Sequence, residues 1–481
     1  MKRVKMFGVG VLVFLMGLGV TLSAAWPGEP YPLSFEEAEK CKGWLDDPAP
    51  FYKNIDWYRK VIPPEVYAKI THDVEKMKAT WAECVGFKAP DVVGKIAPEI
   101  KPGKYTYKDK AKYPFDKLMW KHMYDRFNPP GEGTPNHVGN FTEIEIVPTR
   151  QYYYALPVAE ATLKNIGKSK QDNQGYLIEA SYEAGYPFPR PSGKFKAQQI
   201  LYNWKKKYYV GEDNYWVEHV LGVNNRWNKD SDAMGIARFM RNKGRVMSEP
   251  FGWLDKRAEK QNELRMFTYQ CVAPRDAFGN NILGVFYCDP LNPDLSMIYV
   301  NVLRRIRRMS SSDMQDPAVG QDMIYDDAEG FGRKLSPKRF PYEYKLIGEQ
   351  EFLVPMTIDG SPYIDSKDKY SYKKLTFERR PMYVIELKQL DPNYVYGKTV
   401  AYFDKETLVA VAFENYDQKG RYYRSYNILY GFIPQMGLFN QFNSLALDHV
   451  DTHSTWMYGY CYPALWLDRT QFTAGAIKRA K

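Results

Sequence analysis

Met382-Tyr383-Val384-Ile385-Glu386-Leu387-Lys388 reads as a strand that puts Tyr383, Ile385 and Leu387 on one face. A second strand follows at 398–403. Asp404-Lys405-Glu406-Thr407 then turns the chain into a third at 408–413. Asp417-Gln418-Lys419-Gly420 turns it again into a fourth at 421–430. Asp and Gly at such positions are turn formers, and short turns between strands specify an antiparallel meander.

Working outward, the same period of two runs back to about residue 215. Strands are expected at 215–227, 234–247, 266–273, 282–288, 297–308 and 342–355. Some ten strands in succession need closure or cover, because open sheet edges aggregate. The fold class is therefore α+β: a strongly curved antiparallel sheet or half-open β-barrel with helices covering its concave side. Such a sheet can enclose a cavity, and barrel mouths are common ligand sites. The candidate cargo-binding residues are the apolar positions of the late meander: Tyr383, Ile385, Leu387, Val400, Tyr402, Val409, Val411 and Phe413. Their parity stays open, since a register change of one residue turns every side chain to the other face.

The helices precede the sheet. Pro63-Pro64 opens one that runs to about Cys84, with Val66, Tyr67, Ile70, Val74, Met77, Trp81 and Cys84 as its apolar stripe. A capping box at Ser34-Phe35-Glu36-Glu37 starts a shorter one, to about Trp44. Helices are also expected at 116–124, 156–166 and 194–209. The division expected is 1–25 as a signal peptide, 26–150 as a helical and irregular extension, 151–465 as the curved-sheet domain and 466–481 as a tail.

Composition bounds the class. The chain has 481 residues, 44% hydrophobic and 26% charged, which is globular rather than disordered. Aromatics reach 16%, led by 39 Tyr, and favour strands and amphipathic surfaces. Lys2, Arg3 and Lys5, an apolar run from Met6 to Val20, and Ser23-Ala24-Ala25 form the three parts of a secretory signal, with cleavage expected after Ala25. Losing those three cations lowers the net charge from +10 to +7, a mild value that points to no nucleic-acid partner. A periplasmic location is expected. Cys41, Cys84, Cys271, Cys288 and Cys461 are odd in number. Proximity favours the pairs Cys41–Cys84 and Cys271–Cys288 with Cys461 free; five buried thiols are the alternative.

Phosphate-binding loops, nucleophile elbows and the zinc-protease helix motif do not occur, and neither a catalytic residue nor a cofactor is expected. Asp448-His449-Val450-Asp451-Thr452-His453 would put two His on one helix face for a metal; a polar stretch near the sheet end is the other reading. Arg304, Arg305, Arg307 and Arg308, followed by Asp322, Asp326 and Asp327, form either a charged rim facing lipid headgroups or a locally paired loop. The helix around Trp204, Lys205, Lys206 and Lys207 fits a membrane interface or an aromatic stripe packed on a sheet.

Four sequence features occur in order. They are Tyr186-Pro187-Phe188-Pro189-Arg190-Pro191 before Tyr202-Asn203-Trp204, and Arg304-Arg305 leading to Gly320-Gln321-Asp322 and Asp326-Asp327. Tyr344-Lys345-Leu346-Ile347-Gly348 comes third, and Arg380-Pro381-Met382-Tyr383-Val384 through Tyr402-Phe403-Asp404 to Asn415-Tyr416-Asp417 fourth. In residues 150–460 the chain resembles a long, uncharacterised exported family of Gram-negative bacteria, grouped with the LolA and LolB type of outer-membrane lipoprotein-sorting carriers. The resemblance implies a half-open barrel holding acyl chains, no enzyme chemistry, and a lipid relay involving an RND-type exporter and the outer membrane. The chain departs from those carriers in its length, in residues 26–150, and in lacking the LolB lipoprotein Cys. The expected function is a periplasmic, non-catalytic carrier of a lipid or other hydrophobic molecule. The alternatives are an outer-membrane-associated structural or glycan-binding protein and a metal-dependent periplasmic enzyme.

Overall fold

The computed structural model describes residues 64–132, 138–310, 312–357, 363–465 and 467–479. The signal sequence, the capping box at Ser34 and Cys41 lie outside the described residues.

One 15-stranded sheet organises the chain. Its strands are β1 (Gly103–Thr106), β2 (Glu143–Ile146), β3 (Asn214–Val223), β4 (Lys229–Arg241) and β5 (Glu263–Ala273). β6 (Asn281–Tyr287), β7 (Leu295–Val300), β8 (Arg305–Arg308), β9 (Tyr342–Thr357) and β10 (Thr376–Gln389) follow. β11 (Lys398–Asp404), β12 (Ala410–Tyr416), β13 (Tyr422–Ile433), β14 (Leu438–Asp448) and β15 (His453–Pro463) complete it. The path runs β1-β2-β10-β11-β12-β13-β14-β15-β3-β4-β5-β6-β7-β8, so the sheet is curved but not closed into a barrel. β9 pairs antiparallel with β10, and its last two residues pair in parallel with β13. Strands β9–β13 thereby curl round Phe352 and Tyr402, with Trp120 stacked on Tyr402 at 4.9 Å.

The meander is as read, and its turns show why. Asp404 Oδ1 accepts the backbone N–H groups of Glu406 and Thr407 at 2.8 Å. Asp417 Oδ1 accepts those of Lys419 and Arg421 at 2.9 Å. These are Asx-type turns, in which the side chain stands in for a backbone acceptor.

Four expectations change. The expected strand at 297–308 is a hairpin of β7 and β8, because Arg304 takes a left-handed φ of 49° in the turn. The helix expected from Pro64 to Cys84 is two, α1 (Pro64–Ile70) and α2 (Val74–Val85), because Asp73 caps α2 by accepting the N–H of Lys76. β14 and β15 extend the meander beyond 430. His449 and His453 therefore flank a hairpin turn and do not share a helix face. Finally, Cys84, Cys271, Cys288 and Cys461 are buried thiols that form no disulfide with one another. Cys271 and Cys288 sit at opposite ends of the β5–β6 hairpin, too far along the ladder to bond. Cys84 donates its S–H to the Ala159 carbonyl.

The remaining helices are α3 (Lys121–Arg126), α4 (Leu156–Leu163), α5 (Lys196–Lys205) and α6 (Ala474–Arg479). Buried side chains of α2, α4 and α5 share one hydrophobic core with β9–β13. Residues 64–150 are tied to that core by buried polar bonds. Arg379 donates to the carbonyls of Ile96, Ala97 and Ile100 at 2.6–2.7 Å. Glu406 accepts the N–H groups of Ala89 at 2.7 Å and Tyr152 at 2.9 Å. Arg380, fully buried, bonds Asp404 at 2.6 Å and Glu406 at 2.7 Å. A second core joins Ile70 of α1 and Ile477 of α6 to Met240 and Leu283, on one face of β4–β6. The other face of those strands carries the cleft described next.

Candidate functional site: a cleft under a loop strap

The registers of β3 to β6 bring a row of rings to one face. Phe239 pairs with Phe267, and Ala237 lies between Trp216 and Tyr269. Ring centroids step from Trp216 to Phe239 at 5.4 Å, to Phe267 at 5.8 Å and to Phe286 at 5.7 Å. The ladder needs a gap in β6. Phe267 lies over Gly284, where a Cβ would come within 2.0 Å of its ring. Large rings at successive cross-strand positions bury much area and hold one another in place.

A strap, residues 312–332 together with Met309, passes over these rings. Met309, Met314 and Met323 face them across a cleft of about 170 Å³ that is partly open to solvent. Met adapts its shape to varied apolar partners. One end of the strap is pinned by charge. Glu329 bonds Arg265 at 2.8 Å and Lys207 at 2.7 Å. Burial opposes the Glu329 charge, but Arg265 and Lys207 outweigh it and hold the carboxyl well below its usual range. Burial pushes Lys207 down to about 7 despite Glu329. On the ring face itself, Glu218 of β3 borders the cleft beside Tyr269, its hydrogen-bond partner. Burial pushes its carboxyl up to about 7.

The family model described as a protein of unknown function, DUF1329, matches residues 133–457, more than half of the chain. The chain belongs to the DUF1329 family. No curated protein sequence matches it significantly. Among solved structures, this DUF1329 chain is similar to a domain from Vibrio parahaemolyticus described as an outer membrane lipoprotein-sorting protein. The two are 15% identical with a TM-score of 0.41, over 58% of this chain and 97% of that one. A DUF1329 family protein from Desulfovibrio piger is 15% identical with a TM-score of 0.40, over 55% and 91%. A LolA superfamily protein from Nitrosomonas europaea is 13% identical with a TM-score of 0.35, over 58% and 98%.

In this DUF1329 chain the eight late-meander positions belong to the main hydrophobic core. Tyr383, Ile385, Leu387 and Phe413 share the face that, further along the sheet, carries the cleft, as the registers from β10 to β13 show. Trp204 of α5 covers them, 6.4 Å from Phe413, and Lys196 and Lys405 lie over the Tyr383 ring. Val400 and Tyr402 point to the opposite face, against Trp120. Val411 is the extra residue of a bulge, and Val409 precedes β12. All eight are buried and none lines the cleft. The cleft's aromatic residues lie within strands read from the sequence. Only the pairing of those strands shows that their rings converge.

The charged residues separate in the same way. Arg304 is in the β7–β8 turn, and Arg305, Arg307 and Arg308 lie exposed along the β8 edge. Arg307 pairs with Asp313. Asp322 accepts from His453 at 2.7 Å and Thr455 at 2.6 Å. Asp326 pairs with Arg333 at 2.7 Å, and Asp327 accepts from Tyr396 at 2.6 Å. His453 also meets Asp230 at 3.1 Å. Its hydrogen bond to Asp322 leads the causes that raise it to about 9. His449 instead stacks on Tyr422 at 4.0 Å and bonds Ser425 at 3.0 Å. Among the described residues no group of three or more His, Cys, Asp or Glu is placed to hold a metal ion. Lys206 and Lys207 are buried and paired with Glu179 and Glu329, so this part of α5 and its C-terminal extension packs inward. Among the described residues no helix is long and apolar enough to cross a membrane.

Proposed function

We propose that this protein is an exported carrier that binds a lipid or other hydrophobic molecule between the aromatic face of β3–β6 and the strap. The observation that carries this reading is the cleft itself: stacked rings below, methionines above, and one open side. Burying an acyl chain there is worth about 0.8 kcal/mol per CH₂, enough to hold cargo without any covalent step. The signal-like sequence of residues 1–25 supports export to the periplasm.

Transfer needs a surface that meets a membrane. The β7–β8 turn supplies a candidate: Val302 is 77% exposed and Leu303 64% exposed, with Arg304, Arg305 and Arg308 beside them. Exposed apolar residues flanked by cations suit an anionic bilayer surface. In this reading the donor is an RND-type exporter and the acceptor the outer membrane.

Purification of the exported protein without detergent, organic extraction and mass spectrometry test the proposal. A stoichiometric lipid supports the carrier reading and names the cargo. A clean extract, repeated after incubation with phospholipid vesicles, overturns it. Flotation with vesicles containing phosphatidylglycerol tests the membrane-facing turn, and Val302→Ser with Leu303→Ser should reduce the floating fraction.

A further inference from the structure

The cleft is largely apolar, with the Arg265–Glu329 pair at one place in its wall and the carboxyl group of Glu218 at another. Glu218 projects from β3 onto the ring face, in register with Gly235 on β4 and Gly459 on β15. Neither ladder neighbour carries a side chain, so Glu218 stands in a bay of the sheet. Tyr269 leans into that bay over Gly235, where a Cβ would lie 2.1 Å from its hydroxyl oxygen. Its hydroxyl is thereby held at Glu218, to which it donates a hydrogen bond.

An ionised carboxylate has about four acceptor sites, so a single hydroxyl leaves room for a donor brought by a ligand. Arg265, in another part of the cleft wall, is bound to Glu329. Glu218 is half-buried in a largely apolar wall, where a donor that displaces solvent from its carboxylate makes a stronger bond than it would in water. Trp216, beside it on the same face, is apolar toward the cleft, since its indole N–H is spent on Asn214.

We propose that Glu218, oriented by Tyr269, is the headgroup-recognition site of the cleft, and that it selects a hydrophobic molecule bearing a hydrogen-bond donor, a hydroxyl or an ammonium group. The inference rests on the carrier reading above and adds to it the chemical class of the cargo. The donor occupies the bay beside Gly459, and the hydrocarbon lies along the Phe239–Phe267–Phe286 ladder. A cargo whose polar end only accepts hydrogen bonds, such as an ether, leaves Glu218 unpaired and is discriminated against, as sites built around a polar partner do.

The test is competition at pH 8 against Nile red bound to the full-length exported protein, using dodecanol, dodecylamine and dodecyl methyl ether. The wild type should bind dodecanol or dodecylamine ten- to a hundredfold more tightly than the ether, the span of a hydrogen bond to a charged group. Tighter binding of the amine assigns an ammonium cargo, and the reverse order a hydroxyl cargo. Glu218→Leu should erase the preference while keeping ether affinity within about threefold. Equal affinity of the wild type for all three overturns the headgroup site and leaves the carrier reading standing. Failure of Nile red and all three to bind overturns the carrier reading as well. The wild-type comparison needs no variant, so a Glu218→Leu protein that does not fold leaves the test intact.

Discussion

Gly284→Ala is a direct probe of the cleft, because a single methyl group enters where Phe267 now lies. The added carbon would sit 2.0 Å from the ring. Carbon atoms settle at about 3.5 Å, so the ring must retreat by about 1.5 Å. Sideways movement is blocked by Phe239 and Phe286, stacked on it at interplanar angles of 19° and 26°. The outlet is the cleft. A ring advancing that far displaces about two methylenes of cargo contact, or ~1.6 kcal/mol, which raises the Kd roughly 15-fold. Overpacking also costs about 1–3 kcal/mol of stability. Nile red titration should therefore be paired with urea unfolding. Gly348→Ala serves as the control: its Cβ would meet only Val384 at 3.5 Å, on β9, and cargo affinity should not change. A folded Gly284→Ala protein that binds within about twofold of the wild type would refute the placement of cargo on the ring ladder.

Other consequences can be measured independently. Arg380→Met should cost about 3–5 kcal/mol at pH 7 by urea unfolding, because it strands Asp404 and Glu406 in the core. Burial already pushes the Glu406 carboxyl up, and without the Arg380 charge it rises further in the folded variant, so the deficit should be smallest near pH 4 and grow toward pH 7; a deficit independent of pH would count against the buried-charge explanation. His453, raised to about 9 chiefly by its bond to Asp322, contributes stability that is complete below about 6.5 and lost as pH rises through about 9. His453→Gln should remove that slope, and an unchanged slope would show that another group causes it. Burial pushes the Cys84 thiol up to about 12 and Cys271 up to about 11. At pH 8 a thiol reagent followed by peptide mapping should find both unmodified in the folded protein and modified in urea; labelling of the native protein would contradict their burial.

The strands and turns of the late meander are legible in the sequence because their causes are local. Alternation over 382–388 concerns residues two apart, and the Asp404 and Asp417 turns are made by side chains bonding backbone two to four residues on. The stripe of α2, with Met77, Trp81 and Cys84 buried, is local in the same sense. Alternating Tyr458, Tyr460 and Tyr462 carry a signal for β15 that a reading ending at residue 430 passes over.

Which face of each strand meets which partner belongs to the tertiary structure. Tyr383 and Tyr402 both have strand patterns, yet the β10–β11 register places them on opposite faces. The cleft exists because β15 pairs with β3, joining the two halves of the sheet, and because Gly284 and Gly235 lie under the rings of neighbouring strands. The period of a strand specifies that its side chains alternate. It carries no information about what stands across the ladder, and it is the pairing of distant segments that placed the late-meander residues in the main core and the rings of the early strands along an open cleft.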